Sequence, residues 1–312
     1  MVKVLVFQSW GLGDMVMTIP MIDSLRGVLP KAKIDAVVGT KEVKAVLEMT
    51  GLVDNIKIIN TRRKNFDLIR GFLDLRRERF DMAFVGTEIT GKACFFLRYL
   101  SGVKKVYDGR GKEDLRRVLA NMEILRKAFP GAEIGEIGLK VSEEKRKEVD
   151  SFLKKSGLKR KEILGIHPGS LRTQKYKRYS VERYVRIAKE FLKEHGKERV
   201  LVFLGPEEEK FSELFKEIDN RIVIVLGKDI EFITGLLGKV SVFLGNDSAL
   251  GHIAAAMNVK TITLVGKTNI LKTRPWGNKS KVILGENRDI EKISEREVLK
   301  NINLAFMEKE ND

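Results

Sequence analysis

The sequence predicts an α/β protein built from two doubly wound domains, each a parallel sheet wrapped by helices. Three observations predict it. Short apolar runs alternate with longer amphipathic stretches twice over, as parallel sheets with right-handed crossovers require. The chain has 312 residues, whereas a single hydrophobic core stops growing near about 250–300. The charge-rich segment 142–161 separates the two series, and dividing there gives domains 1–155 and 156–312.

In the first series, residues 2–7 read as a buried strand and 14–28 as a helix that tolerates Pro20 in its early turns. Strands follow at 34–38 and 56–59, with a helix near 41–49. The next helix, 65–79, is basic and amphipathic, with Phe66, Ile69, Phe72, Leu73 and Leu75 expected inward. A strand at 82–85 and helices near 91–100, 113–128 and 143–156 complete the series. The second series has strands at 163–167, 199–204, 222–226, 240–244, 260–265 and 281–284. Helices are expected near 180–195, 207–217, 229–238, 248–257 and 294–307. In such sheets ligands bind beyond the carboxyl ends of the strands, so the loops there carry the chemistry.

Composition narrows the function. Hydrophobic residues make up 43%, which excludes disorder as the main state. The 59 Lys/Arg against 43 Asp/Glu give a net charge of +16 and suggest an anionic partner. The excess is +11 over residues 1–160, with basic stretches at 57–79 and 98–127. High charge with only two glutamines, Gln8 and Gln174, also fits a thermophile surface. The one cysteine, Cys94, sits in an apolar run and reads as a small buried hydrophobe. A lone cysteine forms no intrachain disulfide, which fits a reducing compartment. No 18-residue apolar run is present, and the opening strand is too short for a signal peptide, so a cytoplasmic location is expected.

Four loops stand out. Gly11-Leu12-Gly13-Asp14 follows the first strand and opens a helix. It fails as a dinucleotide fingerprint, because Val16 occupies the third glycine position and strand two ends without an acidic residue. Asp14 is either the helix cap or a carboxylate available as a base. Asn246-Asp247-Ser248-Ala249-Leu250-Gly251-His252 offers a helix N-terminus to a phosphate, with Ser248 and His252 in reach. His167-Pro168-Gly169-Ser170, running on to Lys175 and Lys177, combines close backbone approach with a hydroxyl donor and point charges. Gly205-Pro206-Glu207-Glu208 places carboxylates where a ribose diol could be accepted. The sequence has no D-x-D triplet, H-E-x-x-H, paired cysteines, P-loop or G-x-S-x-G elbow.

Together these segments resemble glycosyltransferase family 9, the ADP-heptose–lipopolysaccharide heptosyltransferases, nearly end to end and most strongly at 3–38, 163–180 and 241–277. The resemblance implies a GT-B architecture whose two Rossmann-like domains face a central cleft. The first domain would take the acceptor and the second the nucleotide-sugar, with the last helix packing back on the first domain. It implies that Asp14 is the general base, and that Gly11 and Gly13 shape its turn. The donor would be held by Gly169, Ser170, Lys177, Glu208, Asp247, Ser248, Ala249 and His252, with Lys177 on phosphate and Glu208 on ribose. Three departures stand against the family pattern: Ala249 for glycine, Tyr179-Ser180 for Trp-Pro, and Gly266-Lys267-Thr268-Asn269 for G-P-T-D.

The implied enzyme is an inverting, metal-independent transferase that uses no cofactor. It would move a sugar, a heptose from ADP-heptose by this resemblance, onto a lipopolysaccharide core-type acceptor. The expected form is a monomer touching the inner membrane peripherally on its cytoplasmic face, with no nucleic-acid partner. Arg62, Arg63 and Lys64, and the basic helices near 65–79 and 113–128, are expected to face a phosphorylated, lipid-linked acceptor. A UDP-sugar 2-epimerase of the same architecture is one alternative, which the histidine-poor loops disfavour. The other is a non-enzymatic nucleic-acid or membrane binder, which lacks interleaved aromatic and basic residues on a sheet.

Overall fold

Residues 1–61, 66–87, 91–110, 114–159, 162–170 and 172–308 are described by the computed structural model, without the side chains of residues 66, 67 and 172. The chain divides into two compact units, Met1–Lys140 and Val141–Asp312.

The first unit runs β1 (Lys3–Gln8), α1 (Leu12–Val16), α2 (Ile19–Val28), β2 (Lys33–Val38), α3 (Lys41–Glu48), β3 (Asn55–Ile58), α4 (Phe66–Arg76), β4 (Met82–Val85), α5 (Gly91–Tyr99), β5 (Lys105–Asp108) and α6 (Arg117–Arg126). Its parallel sheet has the order β3-β2-β1-β4-β5. The central strand alternates with period two. Val4 and Val6 face a core with Met21, Leu25, Met122 and Leu125, while Leu5 and Phe7 face the opposite core with Phe72, Leu75 and Leu97. Cys94 lies in that second core, and burial pushes its thiol up to about 11, as an inert packing residue requires.

The second unit runs α7 (Glu143–Lys155), β6 (Ile163–His167), a 3₁₀ turn (Arg172–Lys177), α8 (Val181–Glu194), β7 (Arg199–Phe203), α9 (Ser212–Lys216), β8 (Ile222–Val225), α10 (Ile230–Leu237), β9 (Val242–Asn246), α11 (Ala249–Ala256), β10 (Lys260–Val265), α12 (Ile270–Thr273), β11 (Ser280–Leu284) and α13 (Glu295–Met307). The order of its parallel sheet is β11-β10-β9-β6-β7-β8. Both units are therefore doubly wound, as the sequence predicts.

Several expectations need correction. The boundary falls at 140/141 rather than 155/156, because α7 packs on α10. The Phe152 and Phe232 rings meet edge-on at 5.6 Å, and Lys145 and Lys239 pair with Asp229 and Asp150. With that boundary each unit carries +8, from 25 basic and 17 acidic residues in the first and 34 and 26 in the second. The charge excess is thus not a property of the first unit.

The expected helix 14–28 is two helices. Pro20 has no N–H for a continuous ladder and sits instead in the first turn of α2. The strand β5 was hidden in a basic run, because a short edge strand carrying Lys105 and Asp108 lacks an apolar pattern. The last helix packs within its own unit, with Val298 and Ile302 fully buried in the core beneath α8.

Finally, α4 and α6 lie on opposite faces of the first sheet, so the two basic helices do not share one surface. On α4, Phe72 and Leu75 point inward as expected, but Ile69 and Leu73 are 46% and 45% exposed. The inward stripe runs through Leu68, Phe72 and Leu75, and the other two lie further round the helix.

Candidate active site

A doubly wound sheet opens a crevice where its strand order reverses, because the loops on either side leave toward opposite faces. In the first sheet this happens between β1 and β4, and in the second between β6 and β9. The singled-out loops after β1, β6 and β9 lie at these two points.

At the first point, Gly11 and not Asp14 is the N-cap of α1, which leaves Asp14 in the first turn. A Cβ on Gly11 would come within 3.3 Å of Asp14 Oδ2, so the glycine leaves room for the carboxylate. Gly13 accepts from the Met17 N–H at the end of this short helix. Under the turn lies a polar cluster that sequence reasoning missed. The Thr18 hydroxyl donates to the Asp14 carbonyl at 2.7 Å and accepts from Gln8 Nε2 at 3.2 Å and Asn121 Nδ2 at 3.1 Å. Asn121 also donates to the Met17 carbonyl and accepts from the Thr87 N–H, fastening the loop after β4 to the Asp14 turn. Arg117 donates to Thr87 Oγ1 at 2.8 Å; burial pushes its guanidinium down from the ordinary value, and the Asp14 carboxylate opposes that. Gln8, Thr18 and Asn121 are fully buried. Three polar residues with no solvent access are a signal, but Asn121 lies over a hundred residues from Gln8 and Thr18 in sequence. Arg62, Arg63 and Lys64 lie outside the described residues.

At the second point, the expected donor residues come together. Lys177 Nζ is 2.8 Å from Asp247 Oδ2, with the side chains 12% and 5% exposed. Asp247 also takes the Thr273 hydroxyl at 3.4 Å and has His252 Nε2 4.0 Å away. Ser248 is the N-cap of α11, but its side chain does not cap; among the described residues its buried hydroxyl has no hydrogen-bond partner. An orphaned hydroxyl costs free energy unless something fills it, and it lies with the first-turn N–H groups of α11, which Ala249 opens. Anions are favoured there.

The loop after β6 is locked by Asn246, a residue the sequence placed beyond its strand. Asn246 ends β9 and is fully buried. Its Nδ2 donates to the Pro168 and Gly169 carbonyls at 2.7 and 3.3 Å, and its Oδ1 accepts from the Tyr179 N–H at 3.1 Å and the Tyr184 hydroxyl at 2.9 Å. Tyr179, on the family's tryptophan position, is a core residue whose hydroxyl donates to the Ile293 carbonyl. Ser170 is already engaged: its hydroxyl accepts from Arg178 Nε and donates to the Gln174 carbonyl. Arg178, also missed, bridges from Ser170 to Glu208 at 3.1 Å. Glu208 is buried, and its Oε2 accepts from the Gly205 N–H at 3.2 Å. His167 donates from Nδ1 to the Phe203 carbonyl, and burial pushes its imidazole below the ordinary range.

Gly169 is where these groups crowd. A Cβ there would come within 2.7 Å of His167 Cε1 and 2.9 Å of Glu208 Cδ. Gly169→Ala is therefore expected to lose about 1–3 kcal/mol in a denaturant melt, as overpacked sites do, and to weaken nucleotide binding by displacing Glu208. Wild-type stability and affinity would show that the close approach is not needed.

Residues 74–303 match the profile of glycosyltransferase family 9 (heptosyltransferase). A lipopolysaccharide heptosyltransferase 3 of Escherichia coli is 25% identical over 296 residues, 85% of this chain and 84% of that protein. The crystal structure of a family 9 glycosyl transferase from Veillonella parvula superposes with a TM-score of 0.82 at 18% identity, covering 99% and 98% of the two chains. The E. coli heptosyltransferase WaaC solved with ADP gives 0.78 at 16% identity, covering 97% and 100%. The profile match begins after the Asp14 turn, so the reading of that turn rests on this chain's own geometry.

Proposed function

Because this chain belongs to glycosyltransferase family 9, we propose that it is an inverting, metal-independent heptosyltransferase acting on a phosphorylated, lipid-linked saccharide of the lipopolysaccharide core type. The observation that carries the reading is the placing of complementary groups at the two strand-order reversals. A carboxylate on a polar shelf lies at one; a lysine, an orphaned hydroxyl and a helix N-terminus lie at the other.

The roles follow from that chemistry. The Asp14 carboxylate takes the proton of an acceptor hydroxyl as its oxygen forms the bond to the anomeric carbon. The bond from that carbon to the diphosphate oxygen breaks, and the electron pair leaves with the nucleoside diphosphate. Attack opposite the leaving group inverts the centre. Lys177, Ser248 and the α11 N-terminus receive the charge developing on the diphosphate, a preorganised electrostatic contribution. Glu208 accepts hydrogen bonds from the ribose. Arg178 positions Glu208, and Asp247 positions Lys177.

The relative solved with ADP favours an adenine nucleotide as donor. No helix among the described residues is long and apolar enough to cross a membrane. The proposed lipid-linked acceptor would have the enzyme work at the cytoplasmic face of the inner membrane as a peripheral protein.

Thermal denaturation with ADP-, UDP-, GDP- and dTDP-sugars tests the donor. The ADP-sugar is expected to stabilise the fold by about 2.7 kcal/mol at a hundred times its Kd. Stabilisation by a UDP-sugar alone, with the sugar altered when no acceptor is present, would replace the transferase by an epimerase.

A further inference from the structure

The outer surface of α4 and α5 carries large apolar side chains that the first core does not use. Ile69 and Leu73 on α4 are about half exposed, and Phe95 and Tyr99 on α5 are 55% and 67% exposed. Each pair is spaced i, i+4 and forms a ridge along its helix; the Phe95 and Tyr99 rings lie 4.6 Å apart. The helices are neighbours in one layer. The Phe72 and Phe96 rings are 5.2 Å apart, and the Ser101 hydroxyl just after α5 donates to the Phe72 carbonyl at 2.8 Å.

Along the two helices cations outnumber carboxylates four to two, the carboxylates being Asp67 and Asp74. Arg70, Arg76, Lys92 and Arg98 are exposed on the two helices. Among their described side chains the one carboxylate is Asp74, and it lies 3.8 Å from Arg77. Exposed aromatic and aliphatic ridges among cations mark an interaction surface rather than ordinary scatter.

We propose that the α4–α5 face docks on an anionic lipid bilayer. Phe95, Tyr99, Ile69 and Leu73 would enter the headgroup–acyl boundary, and the cations would meet the lipid phosphates. Apolar burial and electrostatic attraction act together in such binding, and this surface supplies both. A protein groove would need matching carboxylates, whereas a bilayer offers phosphates at every orientation. Position supports the same occupant. Both helices follow strands of the first sheet, so they begin at its carboxyl edge, where the Asp14 turn lies. A bilayer on this face lies beside the loops that meet the acceptor. The inference rests on the reading of that acceptor as lipid-linked.

Sedimentation with phosphatidylglycerol–phosphatidylethanolamine vesicles tests it, with phosphatidylcholine vesicles as the neutral control. The protein is expected to bind the anionic vesicles, and salt is expected to weaken the binding. A Phe95→Ser/Tyr99→Ser variant should lower the partition coefficient by about tenfold or more, with an unchanged melting temperature because both side chains are outside the core. A Phe95→Trp variant should show an emission blue shift on adding the anionic vesicles. No binding to them, or equal binding by the Ser variant, would overturn the proposal. So would a concentration-dependent dimer that the Ser variant abolishes, since a second copy would then be the occupant. Stabilisation by the donor, measured on the same samples, reports separately on the transferase reading.

Discussion

An Asp14→Asn variant is expected to transfer sugar about 10²–10⁴-fold more slowly than the wild type while binding the donor with unchanged Kd, since general-base help is worth that much. Asparagine keeps the size of the side chain and removes its capacity to take a proton, together with the charge that favours the Arg117 guanidinium. The shelf beneath it is held by the main chain of the turn. Thr18 bonds the Asp14 carbonyl, not its carboxylate, and Asn121 bonds Thr18 and the Met17 carbonyl. The substitution should therefore leave the fold in place, and a thermal melt checks this. The groups proposed to bind the donor belong to the other unit of the chain, so donor affinity is the internal control. Turnover within a few-fold of wild type would remove Asp14 as the base.

The second large effect concerns Lys177. Its ammonium is the cation paired with Asp247, a carboxylate only 5% exposed. Lys177→Ala leaves that charge with the Thr273 hydroxyl at 3.4 Å and His252 at 4.0 Å. Breaking a buried pair from one side costs about 3–5 kcal/mol; the partial exposure of Lys177 puts the expectation at about 3 kcal/mol. Transfer should fall by about 10²–10³, the loss seen when one preorganised electrostatic donor is removed. The two losses separate in a double variant. Lys177→Ala with Asp247→Asn has no stranded carboxylate, so its stability should recover while donor binding stays weak. Recovery of both would make Lys177 a purely structural partner of Asp247.

Much of this was legible in the sequence because it is local. The strand at 82–85 and the strand–helix alternation follow from apolar periodicity, and the loops after β1, β6 and β9 stand out by residue type. What was hidden depends on contacts far apart in the chain. Asn246 reads as a turn residue, yet it ends a strand, because its amide finds partners at 168, 169, 179 and 184. Arg178 reads as one more cation in a basic loop; its fork is what ties Ser170 to Glu208. Ile69 and Leu73 look like core residues to a helical pattern, and only the sheet beneath α4 decides which apolar stripe it covers.

Asn246 has a consequence for how such an enzyme can change over generations. One buried amide both closes the core around Tyr179 and Tyr184 and fastens the loop proposed to receive the donor. Anchored in this way at 168, 169 and 179, the loop would be fastened before a nucleotide arrives, and binding would lose less affinity to ordering it. A mutation at this position would be screened first for survival of the fold, before its effect on sugar choice could be selected. If the proposed donor site holds, donor preference would drift more readily at 249 and 267–269, whose side chains no scaffold hydrogen bond of this kind requires.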